Sequence, residues 1–461
     1  MNNILLIDFG STYTKITAVD VKEEKVLGTA RGITTVETDI MDGLNQALAA
    51  LFAKTGKLEF SKVLGCSSAA GGLKMIAVGL VPEMTAEAAK RAALGAGAKV
   101  LKVFSHELSE YEIEEIEELK PDIILLAGGT DGGNQKVIVH NAGLLAGLKL
   151  DVPVVVAGNK SVTPKVVKIL SEKISEVRPT ENVMPKLDEL NIEPARMVIR
   201  DIFLKRITEA KGLNRANKMV DRLVMPTPAA VLKASELLSQ GGGGEQGLGD
   251  LMVMDIGGAT TDVYSIAKGD PTASGVTLKG LPEPFGKRTV EGDLGMRYSA
   301  GALLKAAGVE IIAGYAGSSP EEVTAYVAKV EADIDHLPQN ETEESIEIAM
   351  GKACVRLSAD RHVGHLEIYF TPFGTSHVQT GKDLTKVTTV IGTGGVIVNH
   401  DKPEEILKGI MFDENNPQIL KPQQPKFFVD HEYIMASMGL LGEEYPAVAV
   451  RMMKKYIANK D

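Results

Sequence analysis

Two aspartates stand in the same local setting at widely separated places in the chain. Asp8 closes the apolar run ILLID and opens Asp-Phe-Gly-Ser-Thr, residues 8–12, while Asp255 closes LMVMD and opens Asp-Ile-Gly-Gly-Ala-Thr-Thr, residues 255–261. A carboxylate at a strand end, followed by glycine and small hydroxyl residues, suits phosphate chemistry. The turn offers backbone N–H and hydroxyl donors to phosphate oxygens, and the carboxylate faces a cation. Gly10 in one copy, and Gly257 with Gly258 in the other, let the main chain approach closely because no Cβ intervenes. The expectation is that Asp8 and Asp255 lie on opposite walls of a cleft with a divalent ion between them. Mg²⁺ suits that donor set, since it keeps several waters and takes one or two carboxylates together with nucleotide phosphates. One Asp-x-Gly alone is common turn chemistry. Two matched copies with a glycine-rich strand end downstream call for more than that.

The elements that must position these residues alternate between strand and helix. Ile4–Phe9, Thr14–Val19 and Val26–Arg31 read as an antiparallel meander, Gly43–Lys54 as a helix and Val63–Ser67 as the next strand. The apolar run DIILLA, Asp122–Ala127, reads as a buried strand, followed by a helix over 134–148 and a strand Pro153–Ala157. Residues 162–222 are richer in charge and helical in period, which predicts an inserted helical segment. A helix is expected over 226–239, with proline in its first turn, and the run GGGGEQG, residues 241–247, reads as an unrestrained loop and the main boundary. The second half restarts at Leu251–Asp255, is helix-rich over 297–357, has a strand Val387–Val390 ending in GTGG, residues 392–395, and closes with a helix Tyr433–Ile457. In each half a later apolar strand ends in a glycine pair, LLAGGTDGG at 125–133 and TVIGTGG at 389–395. The fold class expected is therefore α/β in two similar halves: residues 1–240 with the helical insertion 162–222, residues 246–430, and a closing helical segment 431–461 that returns to the first half.

Bulk properties narrow the field. The chain has 461 residues, enough for two or three domains, with 44% hydrophobic and 24% charged residues. A formal net charge of −11 disfavours binding to nucleic acid or to acidic lipid, while a small anion held by backbone N–H groups is still allowed. Cys66 and Cys354 are far apart and lack a zinc-binding pattern, so we expect no disulfide and a cytoplasmic location. No run reaches the roughly 20 apolar residues of a membrane span, and the first apolar run stops at Asp8, as a strand does. His362, His365 and His377 lack the further ligands and supporting shell that a zinc site needs. EYEIEEIEELK, residues 110–120, reads as an amphipathic helix with a solvated acidic face.

IDFGSTYTK resembles the first phosphate motif, MDIGGATTDV the second, and VTTVIGTGGVIV the adenosine motif of the actin, sugar kinase and heat-shock chaperone ATPase superfamily, all in that superfamily's order. GSTYTK is similar to the activator ATPases of 2-hydroxyacyl-CoA dehydratases. The whole chain, including TVEGDLGMR at 289–297, resembles the glutamate mutase-associated L proteins. The resemblance implies two actin-like (ribonuclease H-like) domains flanking a nucleotide cleft, with ATP or ADP and Mg²⁺ as ligands. It implies that Asp8 and Asp255 direct Mg²⁺ through bound waters. Ser11 and Thr12 would meet the terminal phosphates from one side, and Gly258, Thr260 and Thr261 from the other. Gly392, Thr393, Gly394 and Gly395 would pack against adenosine, and Lys15 would neutralise phosphate charge or stand solvated on its strand.

One departure bears on catalysis. Where the chaperone relatives carry an acid before Pro-Thr and an alanine run, this chain has Met225, and a thioether cannot take a proton, so slow hydrolysis is expected. Asp131 in GGTDGG is the candidate substitute, with a turn-stabilising role as its plainer reading. Three functional classes share such a site: a switch ATPase acting on another protein, a small-molecule kinase and a filament-forming ATPase, the last of which would make the chain a homo-oligomer. The resemblance favours the first, with an adenosylcobalamin-dependent mutase as partner and reactivation of that mutase as the task. The Asp-x-His-x-x-Gly cobalamin pattern is absent from the chain.

Overall fold

The computed structural model describes residues 2–10, 13–34, 40–68, 73–187, 189–209, 220–371 and 374–458. It divides into two compact units: Met1–Lys233 with Gly280–Pro282 and Ala436–Val448, and Ala234–Lys279 with Glu283–Met435 and Ala449–Asp461.

The first unit contains two five-stranded sheets. One is built from β1 (Asn3–Phe9), β2 (Tyr13–Asp20), β3 (Lys25–Ile33), β4 (Lys62–Ser67) and β10 (Arg222–Pro226), in the order β10-β4-β1-β2-β3. β1, β2 and β3 form the expected antiparallel meander, and β4 and β10 add parallel strands beside β1. The other sheet is β5 (Lys74–Gly79), β6 (Lys99–Ser105), β7 (Ile123–Leu126), β8 (Val154–Val156) and β9 (Val177–Pro179), in the order β6-β5-β7-β8-β9 with every pair parallel. Its inner strands β7 and β8 are apolar throughout because both faces are covered, while the edge strands β6 and β9 carry exposed Lys99, Lys102 and Arg178. Met75, Ala77, Ile123 and Leu125 join a core with Leu5 and Ile7 of β1, with α1 (Ile40–Thr55), α2 (Glu87–Gly95) and α6 (Glu193–Glu209). Their neighbours Ile76, Val78, Ile124 and Leu126 pack with α3 (Glu110–Leu119), α4 (Lys136–Leu145) and α5 (Thr163–Leu170) on the other face. Residues 162–222, expected as a helical insertion, thus supply α5 and α6 and also β9 of the parallel sheet, and lead into β10 at Arg222.

Helix α7 (Thr227–Gln240) runs into a hairpin of β11 (Gly241–Gly242) and β12 (Glu245–Gln246). The glycine run, expected as an unrestrained loop, is a tight turn: Gly243 and Gly244 take φ of 59° and 92°, the paired positive angles that a two-residue hairpin demands.

The second unit repeats the first sheet's plan. β13 (Leu251–Ile256), β14 (Thr261–Ile266), β16 (Gly286–Glu291), β19 (Thr389–Thr393) and β20 (Lys426–Val429) lie in the order β16-β14-β13-β19-β20. The first three are antiparallel and the last two join parallel, as in the sheet containing β1. This shared strand order gives the α/β, actin-like fold class expected. Helices α8 (Ala300–Ala307), α9 (Val309–Ala316), α10 (Pro320–Ala332) and α11 (Glu341–His362) cover one face through Met252, Met254, Leu303, Val327 and Met350. A small sheet of β15 (Val276–Lys279), β18 (Gly374–Thr380) and β17 (His365–Thr371) completes the unit.

The closing helix, expected unbroken over Tyr433–Ile457, is two helices, α12 (Met435–Leu441) and α13 (Pro446–Met453). Pro446 at the first turn of α13 has no N–H to continue the ladder from α12. Among the described residues no helix is long and apolar enough to cross a membrane.

Candidate functional site

Asp8 sits one residue from the end of β1 and is 4% exposed. Thr227, the first residue of α7, donates its hydroxyl to Asp8 Oδ1 at 2.5 Å, and Cys66 Sγ on β4 lies 3.6 Å from the same oxygen. Lys15 Nζ is 3.6 Å from Oδ2, because Lys15 stands directly opposite Asp8 in the β1–β2 register. The turn beyond is closed by the Gly10 amide, which donates to Tyr13 O at 3.1 Å. A Cβ on Gly10 would lie 2.6 Å from that carbonyl, so only glycine fits. Ser11 and Thr12 lie outside the described residues.

Asp255 occupies the matching place on β13, half-buried. Gly257 N donates to Thr260 O at 2.9 Å, closing a turn like that at Gly10. Gly258 backs onto Arg297, whose amide donates to Gly258 O at 2.8 Å while the Met296 amide donates to Gly257 O at 3.1 Å. Thr261 is buried and its hydroxyl donates to Leu294 O at 2.5 Å; Thr260 stays half-exposed. The segment TVEGDLGMR is therefore the shelf that carries the second turn. Its Arg297 is anchored by Glu347 at 2.8 Å, and Glu347 also accepts from Tyr326 at 2.5 Å.

The glycine-rich end of β19 meets the same turn. Thr393 pairs with Asp255 across parallel strands. Gly394 has φ of 91°, and a Cβ there would lie 2.6 Å from Asp255 Oδ1 and 2.4 Å from Ile256 O. Gly392 presses on Ile397 and Leu407 as a core contact, and Gly395 is exposed. Thr393 is buried and donates its hydroxyl to Asp430 at 3.1 Å. Asp430 in turn accepts from the amides of Ile434 and Met435, which fixes the start of α12.

The remaining titratable groups sort by environment. Asp262, opposite Asp255 on β14, is bound by the buried Arg288 at 2.6 Å, so it is a structural carboxylate. Burial would depress the Arg288 guanidinium, but Asp262 outweighs it and holds the charge. Burial, then the neighbouring Asp8 charge, pushes the Cys66 thiol well up, so Cys66 is a protonated donor and no nucleophile. Both cysteines are free and buried. Asp131 lies in the first unit, after β7. Its partial burial opposes ionisation, but hydrogen bonds from Asn182 and Lys160, with the Lys160 ammonium 3.3 Å away, bring its carboxyl below the ordinary value. Such a carboxylate organises its loop and has little affinity for a proton. Met225 is 2% exposed on β10, paired with Cys66. His362 is buried between Ser265 and Thr289 at 2.8 Å each, and burial pushes its pKa well down. Among the described residues no group of three or more His, Cys, Asp or Glu side chains is placed to hold a metal ion.

Sequence reasoning found both aspartates and the glycines that let the chain turn. It missed Thr227, Asp430 and Arg297, which act through positions distant in sequence; the signals available were the Pro-Thr after Met225 for Thr227 and TVEGDLGMR for Arg297, and Asp430 had none.

Comparison with known proteins follows the same lines. A family model described as MutL protein matches residues 4–457. Protein MutL of Clostridium tetanomorphum is 54% identical over 459 residues, 99% of each chain. Among solved structures, nucleotide-free acetone carboxylase gives a TM-score of 0.41 at 14% identity, covering 95% of this chain and 70% of that one. Xylulose kinase from Bifidobacterium adolescentis gives 0.32 at 11% identity, covering 100% and 95%. Likeness at these scores supports no inference about activity.

Proposed function

Because the chain belongs to the MutL protein family, we propose that it binds ATP with Mg²⁺, hydrolyses it slowly, and uses the nucleotide state as a switch to reactivate an adenosylcobalamin-dependent mutase such as glutamate mutase. The observation that carries the nucleotide reading is the repeated turn: a carboxylate at a strand end and, two residues on, a glycine whose amide closes the turn onto the next strand.

The donor set fits the ligand. Asp8 and Asp255 offer hard oxygen donors suited to Mg²⁺ held through water, and Gly394 keeps the space beside Asp255 clear of any side chain. Magnesium would neutralise the charge that develops on the phosphates. The residues of this chain would do the rest: the amides around Gly10, Gly257 and Gly258 orient phosphate oxygens, and Lys15 balances charge beside Asp8. No carboxylate stands at Met225, where an attacking water would need one, and Thr227 instead spends its hydroxyl on Asp8. Slow turnover is the expected result, and slow turnover suits a switch better than a metabolic kinase.

The test is reactivation. A mutase inactivated by its damaged cofactor should regain turnover on addition of ATP, Mg²⁺ and fresh cofactor only when this protein is present, and Asp8→Ala should abolish the effect. Absence of rescue sinks the reactivation reading; ATP-dependent phosphorylation of a metabolite would favour a kinase, and nucleotide-dependent pelleting a filament.

A further inference from the structure

The all-parallel sheet of the first unit has a feature that the nucleotide turns leave unused. Its order, β6-β5-β7-β8-β9, places the first strand between the second and the third, so the chain winds away in opposite directions from β5 and β7. In open parallel sheets of this order, ligands sit outside the carboxyl ends of the strands at that reversal. The residues there are Leu80 and Val81 after β5 and GGTDGG after β7, and Ala157-Gly158-Asn159 after β8 adjoins them one strand further along the same edge.

The backbone accounting at this edge is uneven. Asp131 N donates to Pro185 O, Gly132 N to Asn159 Oδ1, Gly133 N to Thr130 O, Lys160 N to Asp131 Oδ1 and Ser161 N to Asn159 Oδ1. Asn159 and Asn182, both buried, are consumed in latching the loop: their amide groups reach Gly133 O, Asn134 O and Gly129 O. Yet among the described residues the amides of Gly128, Gly129, Thr130 and Gly158 donate to no acceptor. Gly128, Gly129 and Gly158 are buried. Buried backbone N–H groups are almost always paired, and one left open signals a bound water, ion or ligand group. Four at adjoining strand ends form a cluster of donors with no acceptor of their own.

Sequence makes this cluster possible. Gly128 and Gly129 take φ of 145° and 71°, and a Cβ on Gly158 would lie 3.0 Å from Gly128 N and 2.9 Å from Gly128 O, so glycine at each place lets the ends of β7 and β8 meet. The donors are strand-end amides; the start of α4 is separately capped, with Asn134 Oδ1 accepting from Val137 N. Lys160, largely exposed, stands at the rim, where its ammonium offsets the charge of Asp131 at 3.3 Å. We infer that the carboxyl edge of β7 and β8 is a second ligand site, which binds the phosphate group of a small organic phosphoester through the amides of Gly128, Gly129, Thr130 and Gly158. A dianionic phosphate is the smallest common group with enough acceptor oxygens to meet several neighbouring amides.

The experiment is a titration of the full chain, labelled with ¹⁵N-glycine, with flavin mononucleotide as the phosphoester probe and with inorganic phosphate. Saturable movement of the Gly128, Gly129 and Gly158 amide resonances is expected with both. Tighter binding of the flavin ester than of inorganic phosphate assigns the site to an organic ester; equal binding assigns it to free phosphate. Thr130→Asp, which sets a like charge at the rim without altering the backbone, should weaken binding by about tenfold, and Thr130→Asn should leave it nearly unchanged. Resonances of Gly10, Gly257 and Gly394 report separately on ATP with Mg²⁺. If either probe moves only those three, or neither moves any glycine at millimolar concentration, the second site is wrong, whatever the outcome at the nucleotide turns.

Discussion

Opposite Asp8, across the β1–β2 ladder, stands Lys15; opposite Asp255, across β13–β14, stands Asp262. Residues directly opposite in an antiparallel pair share a face of the sheet, so the first carboxylate faces a cation and the second faces another anion. The second unit resolves this one strand further out, where buried Arg288 on β16 binds Asp262 at 2.6 Å. The crowding differs too. Asp8 is enclosed by side chains from β2, β4 and α7, whereas Asp255 is approached by the bare backbone at Gly394. The same turn is thus supported by a half-buried lysine in one unit and by a buried pair with a glycine contact in the other. We expect the second turn to be the less tolerant of change.

The sharpest way to break that comparison is Gly394→Val. A side chain there meets backbone atoms at 2.4 Å and a φ that favours glycine, so ATP affinity measured by calorimetry should fall by about a hundredfold or more. Gly10→Ala, which meets one carbonyl without a positive φ, should cost less, and equal losses would erase the asymmetry.

Next in size is Arg288→Met. It strands Asp262 and should destabilise the protein by about 3–5 kcal/mol in denaturant unfolding, while Lys15→Met, at a more exposed pair, should cost under about 1 kcal/mol. Thr227→Val removes a short bond to a buried carboxylate and is expected to cost about 1.5–3 kcal/mol, read from the unfolding midpoint at constant slope.

An effect about as small as that at Lys15 concerns the two thiols, one in each unit. Burial pushes Cys354 up to about 12 from 9.0, and pushes Cys66 up as well. A raised folded pKa gives stability that is full below about pH 9 and lost as pH climbs toward the folded value. The stability gap between the wild type and Cys354→Ala should therefore narrow by about 1 kcal/mol near pH 10. Neither thiol should react with iodoacetamide at pH 8 in the folded protein; rapid alkylation of Cys66 would mean that Asp8 is more open than its contacts allow.

Much of this was legible in the chain. Continuous apolar runs ending in Asp-x-Gly located β1, β13 and both turns, because a buried strand and a glycine-dependent reversal are local facts. The parallel sheet was only partly visible: DIILLA read as a strand, but Lys99 and Lys102 in β6 and Arg178 in β9 break the apolar run that marks a buried strand. The glycine run at 241–244 misled because composition alone does not distinguish a free coil from a hairpin that needs positive φ. The partners of Asp8 and Asp262 were illegible for a different reason. Thr227 and Arg288 are brought in by strand register and helix placement, neither of which is encoded near the aspartate.

One connection described above governs how the molecule must assemble. β4 and β10 are neighbours in one sheet, yet the whole parallel sheet lies between them in sequence, from residue 74 to residue 179. As the chain leaves the ribosome, β4 waits with an open edge until that intervening layer has been synthesised. Such long-range pairing slows folding and leaves an apolar strand edge exposed in the interval. The parallel layer should condense first and carry β10 into place, so a mutation that weakens it would surface as low yield of folded protein before any loss of nucleotide affinity.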